Sequence, residues 1–228
     1  MRRDAPAGLW PFRGEAAIFD FDGTLADTAH IWREVDLEFL ARRGLPYTTD
    51  YPQRLAALGF EGGAQYTIER FGLHETVEEI CDEWNRLGRR LYRNTVTLRP
   101  GALRYINALK AEGIPCALAT TNNKDVLGGM RLVNVYKVFD VCVHGADVGK
   151  GKDHPDIYLE AARRLGVEPE ACVVFEDIVP ALHSARRAGM RACGVRANDP
   201  SQVVEETKKA ADCWLDDWRD ITYGGKLK

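Results

Sequence analysis

Ala16-Ala17-Ile18-Phe19-Asp20-Phe21-Asp22-Gly23-Thr24-Leu25 carries four apolar residues without interruption into two carboxylates, a glycine and a hydroxyl. An unbroken apolar run is the pattern of a strand buried on both faces of a parallel sheet. Ligands of open α/β sheets bind at the carboxyl ends of such strands, which is where Asp20 and Asp22 fall. Two positions apart, both carboxylates can face one pocket where the strand ends and begins to turn. Gly23 lets the backbone approach a ligand closely. Asp-Gly is also ordinary turn chemistry, so the rest of the chain has to supply partners for these groups.

The remaining sequence excludes several classes. Its 228 residues suit one large or two small domains, and a formal net charge of −3 offers no basic field for nucleic acid. No 18-residue apolar run points to a membrane span. Met1-Arg2-Arg3-Asp4 leads into a mixed segment instead of a signal-peptide apolar core, so the expected location is cytoplasmic. The six cysteines lack any C-x-x-C and read as small buried hydrophobes in a reducing compartment. The five histidines lack zinc-ligand spacing. Arginine pairs such as Arg42-Arg43 and Arg163-Arg164 read as solvated helix faces.

Residues 1–14, with Leu9, Trp10 and Phe12, predict an extended arm packed on the body. After the opening strand, Ile31, Trp32, Val35, Phe39 and Leu40 recur at helical spacing up to Gly44, a C-cap candidate. Further helical runs near 52–58, 63–71 and 77–91 predict four helices and no strand over 28–93. From Pro100 onward strands and helices alternate: strands over 114–119, 139–143, 171–175, 190–195 and 212–215, with helices near 103–113, 125–133, from 155, and from Pro180 to Gly189. The fold class this predicts is α/β: a Rossmann-like, doubly wound parallel sheet of residues 1–26 and 95–228, with a helical cap of residues 27–94 inserted after the first strand.

Three strands thus end in polar groups: Asp20 and Asp22, Thr120-Thr121-Asn122, and Glu176-Asp177. Lys150 and Lys152 lie in the loop after another strand. Right-handed crossovers place these ends on one sheet edge. Gathered carboxylates repel unless a cation sits among them, and an all-oxygen set suits magnesium, with a phosphate oxygen and waters completing its shell. The hydroxyls and free N–H groups of 120–123 can cap the following helix and hold an anion. An aspartate there could attack phosphorus to form an aspartyl-phosphate that water then hydrolyses. The metal, a lysine and turn N–H groups would neutralise and position the phosphoryl group. Asp22 is placed to protonate the leaving oxygen and then deprotonate water. Taken singly, Thr120-Thr121-Asn122 reads as a helix cap, Lys152 as a surface lysine and Glu176-Asp177 as a loop start.

Over nearly its whole length the chain resembles the haloacid dehalogenase superfamily, in its beta-phosphoglucomutase-like phosphatase branch. The resemblance is carried by Asp20-Phe21-Asp22-Gly23-Thr24, Thr120 after an apolar strand, Lys152 in Lys152-Asp153-His154-Pro155-Asp156-Ile157-Tyr158, and Phe175-Glu176-Asp177 followed by Ala188-Gly189-Met190. It implies Asp20 as nucleophile and Asp22 as acid/base. Magnesium would be held by Asp20, the Asp22 carbonyl and Asp177, with Glu176 acting directly or through a water. Thr120 would hydrogen-bond the phosphoryl group, and Lys152, selected over Lys150 by the K-x-x-P-D-I-Y spacing, would offset its charge. Implied substrate contacts are Gly23, Thr24, Asp27, Thr121 and Asn122, with Trp32 and Phe60 from the cap. Ile178 and Ala181 stand where the family usually has serine and glycine.

The resemblance thus implies a magnesium-dependent phosphatase of a small phosphorylated metabolite, a monomer or weak dimer without nucleic-acid or membrane partners. Asp22 argues against a dehalogenase, whose enzymes lack an acid/base there. Trp32 and Phe60 fall where the mutase has a histidine and near its phosphate-gripping arginine, which favours the phosphatase over a mutase. Arg54, from a nearby turn, is the alternative source of that grip. A non-catalytic phosphate-ester binding module is the third reading. The cap is expected to hinge near 27–28 and 93–98.

Overall fold

Every residue of β1 (Ala16–Phe19) is buried, as its unbroken apolar run requires. The computed structural model describes residues 9–223, so the first eight residues of the expected arm lie outside them, as does the Met1–Asp4 stretch. Along the chain follow α1 (Ala29–Ala41), α2 (Tyr51–Phe71), α3 (Val77–Thr95), α4 (Ala102–Ala111), β2 (Cys116–Thr120), α5 (Lys124–Gly128), α6 (Val135–Val138), β3 (Val141–His144) and α7 (Gly145–Val148). The chain continues with α8 (Asp156–Leu165), β4 (Cys172–Glu176), α9 (Val179–Arg187), β5 (Arg191–Val195), α10 (Val204–Ala210) and β6 (Cys213–Leu215).

The six strands form one parallel sheet in the order β3-β2-β1-β4-β5-β6. β1 lies between β2 and β4, with Phe19 in register with both Leu118 and Phe175. The three strands that end in polar residues are therefore neighbours, and their carboxyl ends meet at the point where the strand order reverses. Both sheet faces are covered. On one, Phe19 and Phe175 stack at 4.7 Å and pack with Tyr105 of α4 and Trp218. On the other, Ile157, Ala161, Leu182 and Ala185 of α8 and α9 cover Ile18, Ala117 and Val174. Of the arm, Leu9 is buried and Trp10 meets Tyr223 edge-on at 5.0 Å.

Residues 28–93, between β1 and α4, form three helices, not four. The runs near 52–58 and 63–71 belong to one element, broken inside at Gly59 (φ 72°, ψ −173°), a conformation open only to glycine. Two half-patterns on either side of a glycine read in sequence as two helices. A Thr76–Glu79 capping box starts α3. Val35, Phe39, Ile80, Trp84 and Leu87 give the insert its own apolar cluster. A second correction concerns the helix expected over 125–133. α5 stops at Gly128, because Gly128-Gly129 removes helical drive before Val133 is reached. Pro115 precedes β2 and serves through its carbonyl, which accepts from Ala17 N–H at 3.1 Å. Cys116, Cys172 and Cys193 are buried, and all six cysteines are free thiols. No helix among the described residues is long and apolar enough to cross a membrane.

Candidate active site

Asp20, Glu176 and Asp177 converge where β1 and β4 end, each buried and with carboxylate oxygens within 4.8 Å of one another. Lys152, 2% exposed, reaches in from the loop before α8 and donates to both Asp20 Oδ1 and Glu176 Oε1. Tyr158, one turn into α8, also donates to Glu176 Oε1, at 2.7 Å. Glu176 Oε2 accepts the Asp177 N–H, so both Glu176 oxygens already have partners. Asp20 Oδ2 is buried and without a hydrogen-bond partner.

The electrostatics follow from three carboxylates facing one ammonium. Burial first, then the Glu176 charge, lifts the Asp20 carboxyl to about 8, with Lys152 opposing. Burial and the charges of Asp20 and Glu176 likewise hold Asp177 well above the usual carboxylate range. Burial opposes the charge of Lys152, but Asp20 and Glu176 outweigh it and keep the ammonium protonated. With all three carboxylates ionised the cluster is short of two positive charges, which is what one divalent cation brings. An orphaned buried oxygen on Asp20 fits the same conclusion.

Gly23, with φ 87°, brings the turn after β1 so close to Asp177 that a Cβ there would lie 2.2 Å from Asp177 Oδ2. Its N–H is used by the Ala26 carbonyl at 2.8 Å, closing the turn. Thr24 Oγ1 donates to Asp177 Oδ1 at 3.1 Å. Asp22 stands apart from the three-carboxylate cluster, surrounded by donors: Thr28 Oγ1 at 2.7 Å, Trp32 Nε1 at 3.2 Å and the Tyr92 hydroxyl on Oδ1, and Asn122 Nδ2 at 3.0 Å on Oδ2. Thr120 Oγ1 accepts the Asn122 N–H at 3.0 Å, which leaves its own hydroxyl proton to donate. It is Asn123, not the preceding residues, whose side chain caps α5.

From the insert, the break at Gly59 comes down on this edge. A Cβ there would lie 3.4 Å from Thr121 Cγ2 and 3.7 Å from Gly151 Cα. Phe60 follows it and meets Trp32 edge-on at 5.5 Å. Asp27 lies elsewhere, 3.5 Å from Arg99 and lining a cavity of about 200 Å³ beside residues 95–100. Lys150 pairs with Asp156 at 2.8 Å on the exposed side of the loop.

Several residues that hold this edge together were not singled out from the sequence as site residues. Tyr92 lies one residue past the helical run read over 77–91, inside α3, and no local pattern marks it. Tyr158 is part of the lysine motif, but nothing in that spacing assigns its hydroxyl to Glu176. Gln202 Nε2 donates to the carbonyls of Asp177 (2.8 Å) and Val195 (2.9 Å). Arg99 Nη1 and Trp218 Nε1 pin the Gly23 and Thr24 carbonyls, both at 3.1 Å. Apart from Gln202 with Val195, seven positions away, these pairings span 18 to 194 positions, beyond the reach of any local pattern.

A doubly wound sheet with a helical insert after β1, ending in this set of acids, hydroxyls and a buried lysine, defines a class of hydrolases. Residues 17–195 match the haloacid dehalogenase-like hydrolase family, and the chain belongs to it. Among its relatives, the phosphorylated carbohydrates phosphatase of Thermotoga maritima is 33% identical over 195 residues, covering 84% of this chain and 90% of that one. A probable pseudouridine-5'-phosphatase of Drosophila melanogaster is 32% identical over 200 residues, covering 85% of each. The crystal structure of a CbbY mutant from Rhodobacter sphaeroides in complex with xylulose-(1,5)bisphosphate superposes with a TM-score of 0.78 at 29% identity, over 94% of this chain and 99% of that one.

Proposed function

We propose that the chain is a magnesium-dependent phosphatase that hydrolyses a small phosphorylated metabolite of the carbohydrate class, through an aspartyl-phosphate on Asp20. The observation that carries this reading is the buried cluster of Asp20, Glu176 and Asp177 around the Lys152 ammonium, with Asp20 Oδ2 unpartnered. Phosphatase relatives of near-equal length, and a bisphosphate-bound structural neighbour, support the substrate class.

Asp20 attacks phosphorus and the bond to the leaving oxygen breaks. Asp22 gives that oxygen a proton, then takes one from the water that attacks the phosphorylated Asp20, so inorganic phosphate leaves, Asp20 is again a carboxylate and Asp22 is again protonated. Thr120 and the backbone at Thr121 bind phosphoryl oxygens. Gly23 contributes close approach and not a donor, its N–H being engaged. Lys152 holds Asp20 and offsets the charge of the transferred group. Magnesium would be held by Asp20, Asp177 and the Asp22 carbonyl, with Glu176 acting through a water because its oxygens are taken by Lys152, Tyr158 and the Asp177 N–H. When bound, the metal supplies neutralisation of the phosphoryl charge.

Residues 27–94 act as a cap that opens at 27–28 and 93–98 to admit substrate and closes to exclude water. The packing of Trp32 on Phe60 favours a phosphatase over a mutase, since neither ring brings a cation to a second phosphate. The protein works in the cytoplasm on its own or as a weak dimer.

The test is phosphate release from a panel of sugar, polyol and nucleoside phosphates, with magnesium or with chelator, for the natural chain and Asp20→Asn. Release that needs magnesium and disappears in Asp20→Asn is the expected result. Interconversion of hexose 1- and 6-phosphates that needs a bisphosphate primer would establish a mutase instead. Tight ester binding without turnover under any divalent metal would leave a binding module.

A further inference from the structure

Asp177 is the first residue beyond β4, and the ladder between β4 and β5 ends one position earlier, where Glu176 stands in register with Gly194. Two positions later α9 begins at Val179. Asp177 thus stands between two regular elements and belongs to neither. Its outside support comes from Gln202, half-buried between β5 and α10. Gln202 Nε2 donates to the Asp177 carbonyl at 2.8 Å and to the Val195 carbonyl at 2.9 Å, and its Oε1 accepts the Ala197 N–H at 2.9 Å. Both amide hydrogens are used, and a flipped amide would set its oxygen against two carbonyls. Neighbouring strand ends present two carbonyls that cannot pair with each other, and one carboxamide joins them. The far side of this joint is itself fixed: Val195 is in register with Leu215 of β6, and the Arg196 N–H donates to the Leu215 carbonyl at 2.9 Å. Arg99 Nη1, which holds the Gly23 carbonyl, also donates to the Arg196 carbonyl at 2.7 Å. Both turns that carry the acids are therefore tied to one short segment after β5.

We propose that Gln202 is a positioning residue for magnesium: by fixing the Asp177 peptide against the end of β5, it sets the direction from which the Asp177 carboxylate enters the cluster. The inference rests on the phosphatase reading, in which Asp177 is a metal ligand. Asp177 is held at three points: its N–H by Glu176 Oε2, its Oδ1 by Thr24 and its carbonyl by Gln202. Of the three, only the bond from Gln202 refers Asp177 to a strand that carries none of the acids. That matters because Asp20, Glu176 and Asp177 repel one another and would otherwise spread. A carboxylate already held in place spares the cation the cost of ordering it, so the amide raises metal affinity without touching metal or substrate.

The probe is magnesium alone, without substrate. Thermal midpoints are titrated with magnesium for the natural chain, Gln202→Met, Gln202→Glu and Asp177→Asn. Gln202→Met keeps the length and loses the amide; Gln202→Glu keeps the shape and the acceptor for Ala197 but turns an oxygen toward the two carbonyls. Both are expected to weaken magnesium binding about tenfold or more. The magnesium needed for half-maximal release from para-nitrophenyl phosphate should rise in parallel, with kcat recovering at saturation and KM for the ester little changed. A lowered metal-free midpoint with natural magnesium affinity would make Gln202 a turn-closing residue only and overturn the proposal while the phosphatase reading stands. A loss confined to kcat at an unchanged magnesium requirement would do the same. A natural chain whose midpoint ignores magnesium, or an Asp177→Asn that responds as the natural chain does, would take both down together. Should both Gln202 variants fail to fold, the natural chain decides, because coupling between two sites is reciprocal. Magnesium must then slow the solvent exchange of the Gln202 carboxamide protons, and exchange that magnesium leaves unmoved overturns the proposal.

Discussion

Gly23 shows at the scale of one residue how the sequence and the site are joined. Its φ of 87° and the 2.2 Å left between a Cβ and Asp177 Oδ2 admit no side chain without moving Asp177. Gly23→Ala costs about 1–3 kcal/mol of backbone strain. It should lower magnesium-dependent phosphate release by about a hundredfold, roughly 2.7 kcal/mol of transition-state stabilisation. Steady-state kinetics over a magnesium titration check this, and retained activity at the natural magnesium requirement would refute it. That glycine was legible in the sequence because it follows two carboxylates. Tyr92 and Gln202 were not, because their roles depend on Asp22 and Asp177, which only the folded chain brings to them. Asp36 is a second case of hidden chemistry. It is 4% exposed on α1, and burial raises its carboxyl to about 7, beside the Tyr47 and Tyr51 phenols whose own ionisation its charge disfavours. The folded protein therefore holds a proton there that the unfolded chain releases above about 4. The stability this supplies is complete below the unfolded pKa and is lost as pH rises through about 7, up to about 4 kcal/mol. Asp36→Asn should gain on the natural chain in thermal midpoint between pH 5 and pH 8. A midpoint difference that does not change with pH would sink the assignment.

The strands were read nearly in full because apolar runs ending in polar groups have one simple explanation in a parallel sheet. Their starts shifted by a residue or two, as at Pro115, where the missing N–H keeps the proline out of the ladder. Helix boundaries inside the insert were harder. Gly59 breaks α2 without ending it, and sequence periodicity cannot distinguish a break from a terminus. The break has a consequence for the element as a whole, since it carries the helix down onto Thr121 and Gly151. Gly59→Ala leaves space for the methyl group but not for the backbone angle, at a cost of about 1–3 kcal/mol. The variant is expected to melt lower and to lose in kcat/KM for the physiological ester, because α2 would straighten away from the substrate edge. A natural kcat/KM together with a lowered melting point would make the break a matter of stability alone. At the start of α3, Thr76→Ala removes one half of the capping box and should cost about 1 kcal/mol without changing kinetics. Chemical denaturation of the two variants side by side separates the effects.

Across the whole molecule, the sheet order assembles a charge that the fold alone does not balance. Asp20, Glu176 and Asp177 come from strand ends more than 150 positions apart in sequence, and β1 beside β4 forces them together against a single buried ammonium. The native state without metal therefore contains its own repulsion, and a divalent cation that binds there must stabilise the fold by mass action. At magnesium about a hundredfold above its dissociation constant the gain is about 2.7 kcal/mol, or roughly 5–10 °C in melting temperature for a chain of this size. Asp177→Asn removes one of the repelling charges and one of the donors. It should melt at or above the metal-free natural chain, and magnesium should no longer raise its midpoint. Lys152→Met works in the opposite direction: it leaves the carboxylates without their ammonium, at about 3–5 kcal/mol when no metal is present, and magnesium should recover part of that loss. The three melting curves, each with magnesium and with chelator, distinguish a metal held by this cluster from one bound elsewhere. An unchanged magnesium response in Asp177→Asn would place the cation away from the β1–β4 edge and remove the charge argument on which the catalytic reading rests.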